Sequence, residues 1–364
     1  MPNINNKNSW KLYSSNEEAW ASMLTDCANA KTSIDLEQFI FIADEFGQKL
    51  IDICAERAKQ GVKVRFLLDA AGCFTFWGSN IAEILKEKGI ELLFWRTLIP
   101  EYFKAPDFRS WYLRNHRRTL VIDNKISYTG SICIFDRLKN WRDTNVRLEG
   151  PIANKMQKAF ENMWFRAKEN KVGFPKHKPV PKINGFSYIT NFPFPRRRLL
   201  YKTIIDAIRK ADRYIYITTP YFVPTHRLFR VIKNASERGV QVTILLPEKT
   251  DHYSVDLGAR SYFTAMLESG IKIFLYTGNV IHSKSMTIDG TWSTVGSLNL
   301  DSASLLYNFE ANIVSTDPEF AKELESHFIT DIQNSREISL TEWQNRFFLE
   351  KIPEILIKLV KKFL

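Results

Sequence analysis

Two histidines stand at the head of the same short pattern. His116 is followed two residues later by Arg118 and then by Asp123, and His282 is followed at the same spacings by Lys284 and Asp289. The stretches between are β-like, Thr119-Leu120-Val121-Ile122 and Ser285-Met286-Thr287-Ile288. Side chains two apart on a strand share a face, so each imidazole is expected beside a cation. That pair suits a phosphate. The cation neutralises phosphoryl oxygens, and the imidazole attacks phosphorus or donates a proton. After each aspartate come six residues and then a Gly-Ser pair, Gly130-Ser131 and Gly296-Ser297, small enough for backbone and hydroxyl to approach a phosphate. Asp143 lies 27 residues after His116, and Glu310 lies 28 after His282. A carboxylate at a matched position in each half is expected to hold each imidazole's tautomer and orientation. Two of the chain's six histidines in matched positions point to a two-histidine phosphoryl-transfer site between two similar halves.

The elements that must position these residues are repeated too. Residues 61–68 (GVKVRFLL) recur 178 positions later as 239–246 (GVQVTILL), and 89–94 recur 181 later as 270–275. Each copy reads as a helix, a glycine and a short apolar strand, which predicts an α/β fold with a buried sheet. The histidine motifs are only 166 apart, leaving 15 extra residues before His116 in a stretch holding Tyr102, Phe103, Phe108, Trp111 and Tyr112. The expected organisation is a first half over 1–175, a second over 176–335 and a helical tail over 336–364. The linker falls within 168–186, among Pro175, Pro179 and Pro181. In the tail, Ile352, Ile355, Leu356, Leu359, Val360 and Phe363 recur at helical spacing opposite Lys358, Lys361 and Lys362, the pattern either of a helix lying at a membrane interface or of one docked on its own core.

Composition narrows the partners. With 364 residues, 45% hydrophobic and 25% charged, the chain reads as globular, not as disordered, collagenous or coiled-coil. Its net charge of +11 attracts polyanions, either nucleic acid or an anionic membrane face. Cys27, Cys54, Cys73 and Cys133 form no C-x-x-C pair, so neither a zinc site nor a disulfide framework is expected, and a reducing compartment fits. No apolar run reaches 18 residues, so no spanning helix is expected and membrane contact is expected to be peripheral.

The second motif, with His282, Lys284, Asp289, Gly296, Ser297 and Asn299, resembles the H-x-K-x4-D-x6-G-S-x-N signature of the phospholipase D superfamily. The first departs from it twice, with Arg118 for lysine and Cys133 for the final asparagine. Residues 141–151 (WRDTNVRLEGP), 219–224 (TPYFVP), 292–301 (WSTVGSLNLD) and 308–312 (NFEAN) look like bacterial cardiolipin synthases, here in a short form without N-terminal transmembrane helices. The resemblance implies two phospholipase D-like halves, each a mixed sheet flanked by helices, with the active site at their interface. It implies a phosphatidyltransferase making cardiolipin from phosphatidylglycerol and a second phospholipid through a phosphohistidine, with no metal and no cofactor. His116 is then the nucleophile and His282 the acid/base. Arg118, Asp123, Lys284 and Asp289 complete the two motifs, with the aspartates expected to orient strands or neighbouring groups. Asp143 and Glu310 orient the histidines, and Ser131, Ser297 and Asn299 bind phosphate. The expected partner is an anionic phospholipid on the inner face of the cell membrane, reached from the cytoplasm, with no nucleic acid; oligomeric state is left open. The rivals are a phospholipase D releasing phosphatidic acid, a nucleic-acid phosphodiesterase, and a lipid-binding protein with a decayed first motif. Tyr221, His252 and the run Arg196-Arg197-Arg198 are further candidates near lipid or site.

Overall fold

The computed structural model describes residues 8–77, 79–96, 113–169 and 180–346. The aromatic stretch from Tyr102 to Tyr112, most of the linker, and the tail positions from Ile352 to Phe363 lie outside them.

Strands of the first half are β1 (Ser9–Ser15), β2 (Ser33–Gln38), β3 (Lys63–Asp69), β4 (Ile90–Trp95), β5 (Thr119–Ile122), β6 (Ile126–Gly130) and β7 (Arg142–Glu149). They form one sheet in the order β1-β7-β6-β5-β2-β3-β4. The second half contributes β8 (Phe186–Asn191), β9 (Tyr214–Thr218), β10 (Phe222–Val223), β11 (Gln241–Pro247), β12 (Lys272–Tyr276), β13 (Ser285–Ile288), β14 (Trp292–Gly296), β15 (Leu300–Asp301), β16 (Glu310–Ser315) and β17 (Ser335–Ile338). Its large sheet runs β17-β12-β11-β9-β13-β14-β16-β8, and β10 pairs with β15 apart from it. The two orders superimpose. In each half three parallel strands are joined antiparallel to the strand that follows the histidine, β5 on β2 and β13 on β9. The mixed α/β halves foreseen from the repeats are present.

The repeated glycines explain the shared register of helix and strand. Gly61 and Gly239 have φ of +86° and +94°, just past the helices Glu45–Lys59 and His226–Glu237. A residue with a Cβ is strained there, so glycine ends the helix and turns the chain into β3 or β11. Helices cover both faces of each sheet, and the two main cores, around Phe66 and around Ile244, lie between sheet and helices. A third core joins the halves: Val121, Val146 and Leu148 of the first sheet pack with Val295, Ala311 and Ile313 of the second. The sheets therefore meet along β6, β7, β14 and β16, and the histidine-bearing loops emerge at the same seam.

Ser335–Ile338 adds an antiparallel edge strand to β12, and the short helix Leu340–Gln344 follows, with Trp343 buried in the second core. Among the described residues no helix is long and apolar enough to cross a membrane.

Candidate active site

Each histidine precedes a strand of its own half but is pinned by the backbone of the other. The His116 N–H donates to the Phe309 carbonyl at 3.0 Å, and the Phe309 N–H donates to the Arg114 carbonyl at 2.9 Å. Across the pseudo-twofold, the His282 N–H donates to Arg142 at 2.8 Å and the Arg142 N–H to Val280 at 2.9 Å. The residue after Phe309 is Glu310, and the one after Arg142 is Asp143. The carboxylates are therefore exchanged. His116 Nδ1 lies 2.8 Å from Glu310 Oε1, and His282 Nδ1 lies 3.2 Å from Asp143 Oδ2. The matched spacing within each half identifies the right side chains, yet each carboxylate serves the histidine of the opposite half.

With both Nδ1 atoms held, both Nε2 atoms face cations. Arg118 Nη2 is 2.9 Å from His116 Nε2, and Lys284 Nζ is 2.9 Å from His282 Nε2. All four side chains are buried. Burial and the neighbouring Arg118 and Lys284 push the His116 imidazole well below its ordinary pKa. Burial and Lys284 take His282 down to about 4, despite the pull of Asp143. Lys284 itself falls to about 7, through burial and the Arg118 charge. The two carboxylates differ. Burial lifts Glu310 to about 8 against Ser297 and Arg118. Burial also opposes ionisation of Asp143, but His282, Lys284 and Ser131 outweigh it and hold its pKa below the usual range.

The serines face the carboxylates and are not in the wall of the cavity over the imidazoles. Ser131 donates to Asp143, and Ser297 donates to Glu310 at 2.5 Å, so both expected phosphate ligands are supports for the orienting carboxylates. The glycines before them have a matching reason. A Cβ on Gly130 would meet Asn145 and the Thr144 carbonyl, and one on Gly296 would meet Asn312 and the Ala311 carbonyl. Those contacts bring β6 onto β7 and β14 onto β16 tightly enough for each serine to reach its carboxylate. Asn299 is buried, and its Oδ1 has no protein hydrogen-bond partner.

Asp123 and Asp289 are not at the reacting centre. They lie at the far ends of β5 and β13, seven residues beyond the histidines and roughly 20 Å along an extended chain. Asp123 accepts from the N–H groups of Lys31, Thr32 and Ser33 at 2.6–2.9 Å, where the chain enters β2. Asp289 accepts from Asp212, Arg213 and Tyr214 at 2.8–2.9 Å, where it enters β9. Both turn with φ above +50°. Their role in the pattern is to lock the strands that carry the site. Arg198 is also structural: it donates to the Leu306 carbonyl, outside the cavity.

A cavity of about 260 Å³ opens over the two imidazoles, with His116, Arg118, Cys133, Tyr221, Asp251 and His282 in its wall. Tyr221 donates to Asp251 at 2.7 Å, and its ring stands edge-on to His282 at 6.5 Å. His252 lines the entrance beside it. Phe39 meets the His116 ring at 4.7 Å, and Trp141 meets His282 at 5.6 Å. Sequence reading missed Phe39, Trp141, Arg137 and Asp251. A signal existed for two of them: Phe39 follows the carboxyl end of β2, and Asp251 follows β11, where open α/β sheets gather ligands. Among the described residues no three His, Cys, Asp or Glu side chains are grouped as a metal ion requires.

Residues 23–164 and 204–332 match the family described as cardiolipin synthase, PLD-like domain. The chain is 32% identical to the probable cardiolipin synthase YwiE of Bacillus subtilis, over 98% of this chain and 72% of that protein. It is 32% identical to cardiolipin synthase A of Proteus mirabilis, over 95% and 74%. Among solved structures, phosphatidylserine synthase of Haemophilus influenzae superimposes with a TM-score of 0.71 at 15% identity, over 97% of this chain and 92% of that one. Polyphosphate kinase of Porphyromonas gingivalis gives 0.60 at 12% identity, over 100% and 55%. At those identities the likeness concerns the fold alone.

Proposed function

The chain belongs to the phospholipase D-like cardiolipin synthase family, and we propose that it transfers a phosphatidyl group from phosphatidylglycerol to a second phospholipid through a phosphohistidine. Family membership makes it an enzyme of the phosphatidyltransferase type. The observation that carries the reading is the crossed pairing: both Nδ1 atoms are committed to carboxylates, leaving each Nε2 atom beside a cation, with both imidazoles and Arg118 in the wall of one cavity.

The asymmetry of the carboxylates supports a division of roles, with His116 as nucleophile and His282 as acid/base. A histidine that must carry a proton needs an ionised partner, and Asp143 is held ionised beside His282. Burial and the permanent charge of Arg118 keep His116 neutral, and because Arg118 can only donate, Nε2 is the lone-pair atom and the ring proton sits on Nδ1, facing Glu310. In the first step His116 Nε2 attacks phosphorus while Arg118 and Lys284 hold the non-bridging oxygens. The phosphorus–oxygen bond to the glycerol headgroup breaks, and His282 Nε2 gives its proton to the departing alkoxide. The bound diester anion offsets the cations that depress His282, so the imidazolium is favoured once substrate is in place. In the second step a hydroxyl of the acceptor lipid attacks phosphorus, loses its proton to His282, and displaces His116. The half-buried aromatic wall of Phe39, Trp141 and Tyr221 limits the entry of water as a competing acceptor.

Such substrates lie in a bilayer, and the net charge of +11 suits contact with an anionic membrane face. The direct test gives purified protein phosphatidylglycerol liposomes, with and without phosphatidylethanolamine, beside His282→Ala, and identifies the products by mass spectrometry. Cardiolipin lost in the variant supports transfer, and cardiolipin that requires phosphatidylethanolamine would make that lipid the phosphatidyl donor, because only phosphatidylglycerol carries a free hydroxyl to accept the group. Phosphatidic acid alone would make the chain a hydrolase.

A further inference from the structure

We propose that Arg118 and Cys133 are one coupled unit, in which the guanidinium takes over the positions of both a lysine and an asparagine and Cys133 is the positioning residue that steers it. The inference rests on the two-histidine chemistry above, and it concerns only the first motif.

The second motif shows what the unit replaces. Lys284 Nζ contacts His282 Nε2 at 2.9 Å and the His282 carbonyl at 2.8 Å. Arg118 reproduces both contacts with its two terminal nitrogens: Nη2 reaches His116 Nε2 at 2.9 Å, and Nη1 reaches the His116 carbonyl at 3.4 Å. A guanidinium has a further donor, Nε, which an ammonium lacks. That Nε donates to Cys133 Sγ at 3.1 Å. Cys133 stands at the position of Asn299 in the second half, and its thiol leans on the Ser131 carbonyl at 3.9 Å. The Trp20 indole donates to the Cys133 carbonyl at 3.3 Å, which fixes the backbone under the thiol.

Both substitutions follow from one geometric fact. The longer, planar Arg118 needs the volume that an asparagine amide would occupy at 133, and it needs an acceptor there for Nε. A thiol is small enough and accepts. Arg118 then lines the cavity in a plane fixed by its three contacts with His116 and Cys133, and each terminal nitrogen keeps a second N–H that a phosphoryl oxygen can take. A lysine at 118 beside Cys133 would leave the thiol without its donor. An asparagine at 133 beside Arg118 would crowd the guanidinium out of line with His116.

A double-mutant cycle tests this, read as kcat and KM on a chromogenic phosphodiester, which reports phosphoryl transfer without any lipid. Arg118→Lys and Cys133→Asn should each lower kcat by about tenfold or more, and the double variant should recover to within about threefold of wild type, because it restores the second motif's pair. Cys133→Ala should lower kcat several-fold with little change in KM, and Cys133→Ser should retain activity through its own acceptor oxygen. The affinity for inorganic phosphate, measured by calorimetry, should follow the same pattern and needs no turnover. Losses that multiply in the double variant, or a Cys133→Ala protein equal to wild type in both readouts, would overturn the unit. Coupling on the diester with no cardiolipin from liposomes would uphold the unit and reject the lipid assignment alone.

Discussion

The first half sets an arginine and a cysteine beside its histidine, where the second half sets a lysine and an asparagine, although the strands beneath them follow the same order. The carboxylates differ as well. The first histidine is paired with a glutamate raised to about 8 by burial, and the second with an aspartate held ionised. Duplication therefore supplied two equivalent frames, and burial with the neighbouring cations lowers the pKa of both imidazoles. Their surroundings still differ: His116 stands beside a permanent cation, and His282 beside a cation whose own charge titrates near 7, with a carboxylate held ionised behind it. The proposed division into nucleophile and acid/base rests on that difference.

The largest effect expected from this difference is on the histidines. His116→Ala and His282→Ala should each lower kcat with a natural diester by about 10⁴ or more. They should part on a diester with a good leaving group, which needs no protonation. There His282→Ala should still form a phosphoenzyme, detectable as an intact-mass increase, and His116→Ala should not. The reverse pattern would exchange the roles of the halves.

The carboxylates come next. Asp143→Asn should lower kcat by about 10³, because it removes the charge that supports the imidazolium and permits the wrong tautomer. Glu310→Gln should cost less, about 10- to 100-fold, since a protonated glutamate already behaves much like an amide. Equal losses would remove the proposed asymmetry.

The cations separate the halves by pH. Lys284 is charged below its pKa of about 7 and neutral above it, so kcat/KM should fall as pH rises through that region in the free enzyme. Arg118 contributes no such fall, because a guanidinium does not lose its proton. Arg118→Lys should therefore add a second alkaline limb, and a profile identical to wild type would contradict the account.

The smallest effect is expected where the halves agree. Asp123→Asn and Asp289→Asn each weaken carboxylate hydrogen bonds to three backbone N–H groups, partly replaced by water, and should lower stability by about 1 kcal/mol. Thermal unfolding should register the loss, with kcat nearly unchanged. A large loss of kcat in either protein would return these aspartates to the chemistry.

Much of this was legible in the sequence because it is local. Helix-glycine-strand units and the two-residue spacing from His116 to Arg118 and from His282 to Lys284 are set by backbone periodicity, so the α/β halves and the histidine–cation pairs follow from the chain alone. Spacing also picked out Asp143 and Glu310, which lie far along the chain. It did not disclose that they cross to the opposite histidine, because an intramolecular twofold leaves the intervals within each half unchanged. Nor did it distinguish a serine that binds phosphate from one that holds a carboxylate. Ser131 and Ser297 have small residues before them in either case, and only the approach of β6 to β7 and of β14 to β16 decides what the hydroxyl meets. The cavity wall from Phe39 to Asp251 and the contact of Arg118 with Cys133 belong to the same class. By itself the sequence determined the parts, their duplication and the type of reaction, since these depend on residue type and short-range geometry. The tertiary structure alone decided which half supplies which partner, and with it the electrostatic surroundings of each histidine, because burial and long-range contacts set those and no local spacing records them.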